Sequence, residues 1–117
     1  MLALFEVIGE EQEPGGVSWL VSVQRTAVVK AGGKAIALAC DVTDDTALER
    51  LVDDTLKAFG GINILVNNAG GGGPKPFDMP IKDFMWAYQL NVFATFHLCQ
   101  LCVEHIEAAG GGAILNI

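Results

Sequence analysis

The sequence predicts an α/β fold with parallel strands, on three observations. Segments with helical spacing alternate with short, continuously apolar runs. Those runs, residues 35–40, 62–66 and 113–117, have the length and composition of strands buried on both faces. Glycines close each helical segment, at Gly32-Gly33, Gly60-Gly61 and Gly110-Gly111-Gly112. In such sheets the crossovers are right-handed, and ligands bind beyond the carboxyl ends of the strands.

Residues 1–16 differ in character from residues 17–117, and the domain boundary is placed between them. Residues 2–8 fit one short strand, followed by an acidic loop of Gly, Glu and Pro at 9–16. Ser18 is a candidate helix cap. Leu20, Gln24, Ala27, Val28 and Ala31 form one stripe of the helix after it, although the valines of residues 17–23 also suit a strand. Ala35-Ile36-Ala37-Leu38-Ala39-Cys40 is the first buried strand, ended by Asp41. Thr43 is the expected cap of the next helix, with Asp44 and Asp45 facing its positive end. Leu48, Leu51, Val52, Leu56 and Phe59 recur at helical spacing. After the strand at 62–66, Pro80 fits the first turn of a long helix running to Ala109, with Asp78 as its cap. Phe84, Tyr88, Val92, Phe96 and Leu98 are its expected apolar face.

Composition narrows the function. The chain has 117 residues, with 7 Lys+Arg against 14 Asp+Glu and a net charge of -7. A pI near 4.5 repels phosphate backbones and anionic lipid. Half of the residues (51%) are apolar, enough for a packed core and too many for a disordered tail. No apolar run reaches the ~18–20 residues of a membrane span. The N-terminus lacks the basic start of a secretory signal, and its short apolar stretch is interrupted by Glu6. Three scattered cysteines form no disulfide framework, so a cytoplasmic setting is expected.

Asp41-Val42 and Asn67-Asn68-Ala69-Gly70 both fall where strands end, the ligand side of a parallel sheet. Small residues there let a flat ring or a ribose approach the backbone, and asparagine supplies donors and acceptors. The run Gly60-Gly61-Ile62-Asn63-Ile64-Leu65-Val66-Asn67-Asn68-Ala69-Gly70 resembles the sheet-stabilising signature of the classical short-chain dehydrogenase/reductases. Cys40-Asp41-Val42-Thr43 upstream and Leu90-Asn91-Val92-Phe93 downstream are similarly spaced. The glycine-rich loop from Gly70 to Pro80 looks most like the bacterial 7α-hydroxysteroid dehydrogenase branch. The likeness runs from about Thr26 to Ile117.

The resemblance implies a partial Rossmann-like, doubly wound sheet, incomplete at both ends. It implies an NAD-dependent oxidoreductase moving hydride at a steroid hydroxyl or ketone, with NADP left open. By position, Asp41 would accept from the adenine amino group with Val42 beside the ring. Asn68 would meet the adenosine ribose, with Ala69 and Gly70 making room. Gly72 would line the steroid-side pocket, and Asn91 would be the asparagine of the Asn-Ser-Tyr-Lys tetrad, holding a relay water. The departures matter equally. The glycine-rich Thr-Gly-x-x-x-Gly-x-Gly turn is missing, and the only tyrosine, Tyr88, is followed four residues on by Val92 instead of lysine. The serine would fall just past Ile117. A tyrosine near its reference pKa of ~10 is a poor base without its lysine. The chain thus looks like a truncated middle segment, weak or null in cofactor binding and without turnover of its own. The alternative is a non-catalytic oligomerisation or weak adenosine-binding module.

In the family sheet two strands separate residues 35–40 from 62–66, so residues 2–8 or another copy of the chain would have to fill the gap. Open strand edges and the long helix both point to a homo-oligomer. Cys99 and Cys102, flanked by His97 and His105, have the spacing of a half metal site or redox pair. They lie deep in a helical run with no second ligand pair, so a core or interface role is expected and no metal. The acidic clusters (Glu10, Glu11 and Glu13; Asp53 and Asp54) suit solvated faces.

Overall fold

The computed structural model describes residues 3–4 and 19–117, with side chains from Arg25 onward. The elements are β1 (Ala3–Leu4), α1 (Trp19–Lys30), α2 (Asp45–Phe59), β2 (Ile64–Asn67), α3 (Ile81–Tyr88), a π-helical turn (Gln89–Phe93), α4 (Ala94–Ala108) and β3 (Ala113–Asn116). The three strands form a parallel sheet in the order β1-β2-β3. Ala3 and Leu4 pair with Ile64 and Leu65, so the first residues of the chain do lie beside β2. The rest of the expected 2–8 strand, the 9–16 loop and Ser18 lie outside the described residues.

Helix α2 forms as its sequence dictates, except at its cap. Asp44, not Thr43, is the N-cap: its carboxylate accepts from the backbone N–H of Thr46 and Ala47 at 2.9 and 3.2 Å. A carboxylate there satisfies two orphan donors and opposes the helix dipole, whereas the Thr43 hydroxyl donates to Asp41 instead. Gly60 ends α2 at φ +80, a conformation that costs any other residue roughly 1 kcal/mol. Ala47, Leu48, Leu51, Val52 and Thr55 are its buried stripe.

The core lies between α2, β2 and α4. Leu48, Leu51 and Val52 meet Leu65 of β2 and Leu90, Ala94, Leu98, Cys102 and Ile106 of the π-turn and α4. Each fully buried leucine of this cluster contributes roughly 1.5–3 kcal/mol. Asp45 in the first turn of α2 faces His97 of α4, with 3.3 Å from Oδ1 to Nδ1.

Five expectations fail here. Residues 35–40 form no strand, and Ile36 and Leu38 are exposed, because none of the described strands pairs with the apolar run. The α1 stripe is not buried where side chains are described: Ala27, Val28 and Ala31 are exposed. The long helix runs unbroken from Ile81 to Ala108 with a π-turn inside it, but it starts without a side-chain cap: Pro80 precedes Ile81, and Asp78 caps nothing. Its expected apolar face is the wrong one except at Leu98, which is buried. Phe84, Tyr88, Val92 and Phe96 are exposed, while Leu90, Ala94, Leu98, Cys102 and Ile106 pack inward at four-residue spacing. Two apolar stripes lie on one helical run, and the one meeting α2 and β2 is the buried one. Strand β3 forms on schedule but is exposed at all four residues.

Candidate functional site

Two loops and one helical turn build the site. The first loop follows residues 35–40. Asp41 Oδ1 accepts from Thr43 N at 2.9 Å and from Thr43 Oγ1 at 2.7 Å, closing a tight turn reinforced by Asp44 N–H on the Asp41 carbonyl. The Asp41 side chain is exposed, and its second carboxylate oxygen has no partner among the described residues. Val42 is fully buried in the core, so its side chain anchors the turn.

The second loop leaves the carboxyl end of β2. Asn67 is buried, and its Nδ2 donates to Asn116 Oδ1 across the β2–β3 register at 2.8 Å, with Cys99 Sγ at 3.6 Å. Its own Oδ1 is buried without a partner. Asn68 is exposed, and Ala69 packs half-buried against the core. Gly70 and Gly71 then pass close to the π-turn. A Cβ on Gly70 would sit 2.8 Å from Asn91 Oδ1, and one on Gly71 would sit 3.3 Å from Leu90 Cδ2. Gly72, at φ +130, borders a groove of about 390 Å³ with Lys75, Met79, Asp83, Phe84 and Trp86.

The π-turn Gln89–Phe93 joins the two loops. Asn91 grips the second as a strand would: Oδ1 accepts from Gly71 N at 3.1 Å, and Nδ2 donates to Gly71 O at 2.9 Å. The same Nδ2 also donates to Ala87 O at 2.9 Å. Both amide protons and one acceptor lone pair are thereby engaged by backbone. Gln89 Nε2 donates to Thr43 O at 3.5 Å, reaching the first loop. Leu90 between them is buried.

Asp41, Asn68, Ala69, Gly70 and Asn91 therefore gather around one end of the fold. Gly71 and Gln89 were given no role in the sequence, and Asn67 was named only as part of its loop, not as a cross-strand anchor. The signal for Asn67 was present: residues 64–67 and 113–116 are both apolar runs ending in asparagine, and the register sets those ends side by side. On α4, burial and the neighbouring Cys99 push the Cys102 thiol up from 9.0 to about 11, an inert core thiol and no nucleophile. Among the described residues, no three His, Cys, Asp or Glu side chains converge as a metal site.

The sequence model of the family described as short chain dehydrogenase matches residues 18–117. The chain belongs to that family. Among the curated relatives of this short-chain dehydrogenase chain, the 7α-hydroxysteroid dehydrogenase of Escherichia coli is 53% identical over 90 residues, covering 77% of this chain and 35% of that one. Glucose 1-dehydrogenase 2 of Bacillus subtilis is 27% identical over 114 residues, covering 95% and 43%. A solved 7α-hydroxysteroid dehydrogenase, complexed with NADH and 7-oxo glycochenodeoxycholic acid, superposes with a TM-score of 0.79 at 49% identity, over 83% of this chain and 38% of that one. A 3-ketoacyl-ACP reductase from Sinorhizobium meliloti superposes at 0.77 and 35% identity, covering 82% of this chain and 38% of that one. The chain thus spans somewhat over a third of the length of the relatives it matches. No helix among the described residues is long and apolar enough to cross a membrane.

Proposed function

We propose that these 117 residues are the adenosine-side segment of an NAD-dependent short-chain dehydrogenase acting at a steroid hydroxyl or ketone, built on part of a doubly wound sheet. The observation that carries this reading is the joining of the Asp41 turn and the 67–73 loop to one π-turn. The fit to the cofactor is partial. The open carboxylate oxygen of Asp41 suits the adenine amino group, exposed Asn68 suits a ribose hydroxyl, and Ala69 and Gly70 leave the backbone approachable. Val42 supports the turn from below. Nothing in the sequence supplies the glycine-rich turn that would cradle the pyrophosphate, so affinity rests on the adenosine half alone. NADP is left open, because the two cofactors differ at the 2′ position of the adenosine ribose and the acidic or basic residue that usually reads it is not among those named here.

A bound nicotinamide would accept hydride from the hydroxyl or deliver it to the ketone. On the steroid side, Gly72 opens the groove shared with Met79, Phe84 and Trp86, apolar walls suited to a fused-ring substrate. Asn91 is the one tetrad residue in the chain, and its side chain serves the loop, so a relay water would be held by its backbone. The acid/base tyrosine–lysine pair is absent from the sequence, and this chain alone turns over nothing.

Calorimetric titration with AMP tests the reading. Saturable heat at millimolar AMP, lost in Asp41→Ala, is the expected result, and no heat at that concentration refutes it. Reduction of NAD with a bile acid by the purified chain is expected to be nil. A second reading, a non-catalytic assembly module, is favoured by the exposed aromatic ladder of α3 and the π-turn. There the rings of Phe84 and Tyr88 lie 5.0 Å apart and those of Tyr88 and Phe93 6.3 Å apart, both pairs tilted, and Phe96 at the start of α4 is 63% exposed. It predicts a homo-oligomer by sedimentation that Phe96→Glu dissociates. A wild-type chain that sediments as a monomer at high concentration removes it.

A further inference from the structure

We propose that the π-turn Gln89–Phe93 is a bracket that fixes the two nucleotide-side loops relative to each other, and that Gln89 is the positioning residue for the Asp41 carboxylate. The meaning of those loops rests on the adenosine reading above; the bracket itself rests on geometry. Three consecutive residues divide the task. Gln89 Nε2 donates to Thr43 O, Leu90 is buried beneath Gly71, and Asn91 holds Gly71 by both backbone groups.

The chain of contacts from Gln89 to Asp41 is short. Thr43, whose carbonyl Gln89 holds, uses its N–H and hydroxyl to fix Asp41 Oδ1. With Oδ1 fixed, the free carboxylate oxygen has one direction to point. If Thr43 is released, the Asp41 turn is left with its local bonds alone, all of them exposed to competing water. On the other side, Asn91 fixes Gly71, one residue from Gly70 and three from Asn68. The two loops leave separate chain segments, and no hydrogen bond runs directly between them among the described residues. The π-turn supplies the side-chain hydrogen bonds to both. A π-turn inserts a residue into a helix and rotates the facing of every residue after it. Here the insertion lies between an exposed α3 and a buried α4 stripe. Helix α4 is thereby packed into the core while Gln89 and Asn91 reach the two loops.

The test is residue-resolved amide exchange on the whole chain, with no nucleotide present. Gln89→Leu is expected to speed exchange at Thr43 and Asp44 about threefold to tenfold, the loss of one modest hydrogen bond, leaving the amides of β2 and α4 unchanged. Gln89→Glu distinguishes positioning from packing. Its carboxylate cannot donate to Thr43 O at neutral pH, so the same amides accelerate. Below its carboxyl pKa of ~4.3 it donates again, and protection relative to wild type at the same pH returns. Unchanged exchange at Thr43 and Asp44 in both variants overturns the proposal. So does acceleration in Gln89→Glu that pH does not reverse, which would mark a packing role. AMP titration of the same variants keeps the two proposals apart. Wild-type binding without any exchange effect sinks only the bracket, whereas the exchange effect without wild-type binding sinks only the adenosine assignment.

Discussion

Gly70→Ala is the sharpest probe of the site, because the structure states what the added methyl would meet. Gly70 has no positive φ, so alanine is conformationally acceptable there. The new Cβ would lie 2.8 Å from Asn91 Oδ1, about 0.6 Å inside ordinary van der Waals contact. If the Asn91 amide retreats by that amount, its 3.1 Å bond from Gly71 N stretches beyond hydrogen-bonding range, and the 2.9 Å bond to Gly71 O is strained. These groups are exposed, so water replaces part of the loss, and the net cost is roughly 1–2 kcal/mol. Asn91→Ala removes the same bonds and also the atom that collides. The double variant should therefore be no less stable than Asn91→Ala alone, a coupling of about 1–2 kcal/mol in a double-mutant cycle. Urea unfolding of the four proteins gives the numbers, and exchange of the Gly71 amide reports the local effect. Strict additivity, or a neutral Gly70→Ala, would refute the argument, for it would mean that the loop does not rest against Asn91.

Two further outcomes are expected from the same structure. Gly112→Ala places a methyl into the Asn63 carbonyl, next to the Ala113 N–H···O=C Asn63 bond that opens the β2–β3 pairing. Backbone cannot give way as a side chain can, so a loss of at least about 2 kcal/mol by urea unfolding is expected. Cys102 makes stability pH-dependent: its folded thiol titrates near 11 against 9.0 when free. Stability is full below pH 9 and falls by roughly 2–3 kcal/mol as pH rises from 9 to 11, because only the unfolded thiol ionises in that interval. Cys102→Ala should flatten that slope in pH-dependent unfolding, and iodoacetamide should label Cys99 before Cys102.

The legible parts of the fold were those whose information is local. Helix α2 carries its start, its stripe and its stop within residues 44–60, and only the choice between Thr43 and Asp44 as cap went astray. Strand β2 is an apolar run with asparagines at its end, and its start shifted by two residues and its end by one. What could not be read depends on partners. Residues 35–40 have the composition of a buried strand, but a strand needs a neighbour to receive its hydrogen bonds, and composition does not say whether one is there. The two apolar stripes of residues 81–106 are similar in hydrophobicity, and only the packing of α2 against α4 decides which faces inward.

The site shows the same division in a more consequential form. Asp41, Asn68 and Gly70 were legible because a strand end followed by small and polar residues is a local pattern. Asn91 was legible as a residue but not as a geometry. A mid-helix asparagine suggests either a buried polar group bonded to its own helix or a ligand contact, and here it is exposed, bonds to its own helix and also binds another loop. That combination needs the π-turn, and nothing in Gln89-Leu90-Asn91-Val92-Phe93 announces one. Nor does a sequence show that Gly70 is small for the sake of Asn91 rather than for a ligand. The two explanations make opposite demands on the double variant. If Gly70 is small only to admit a ribose, removing the Asn91 side chain leaves AMP binding still lost in Gly70→Ala. If it is small to admit Asn91, the double variant regains what Gly70→Ala loses, up to the level of Asn91→Ala itself.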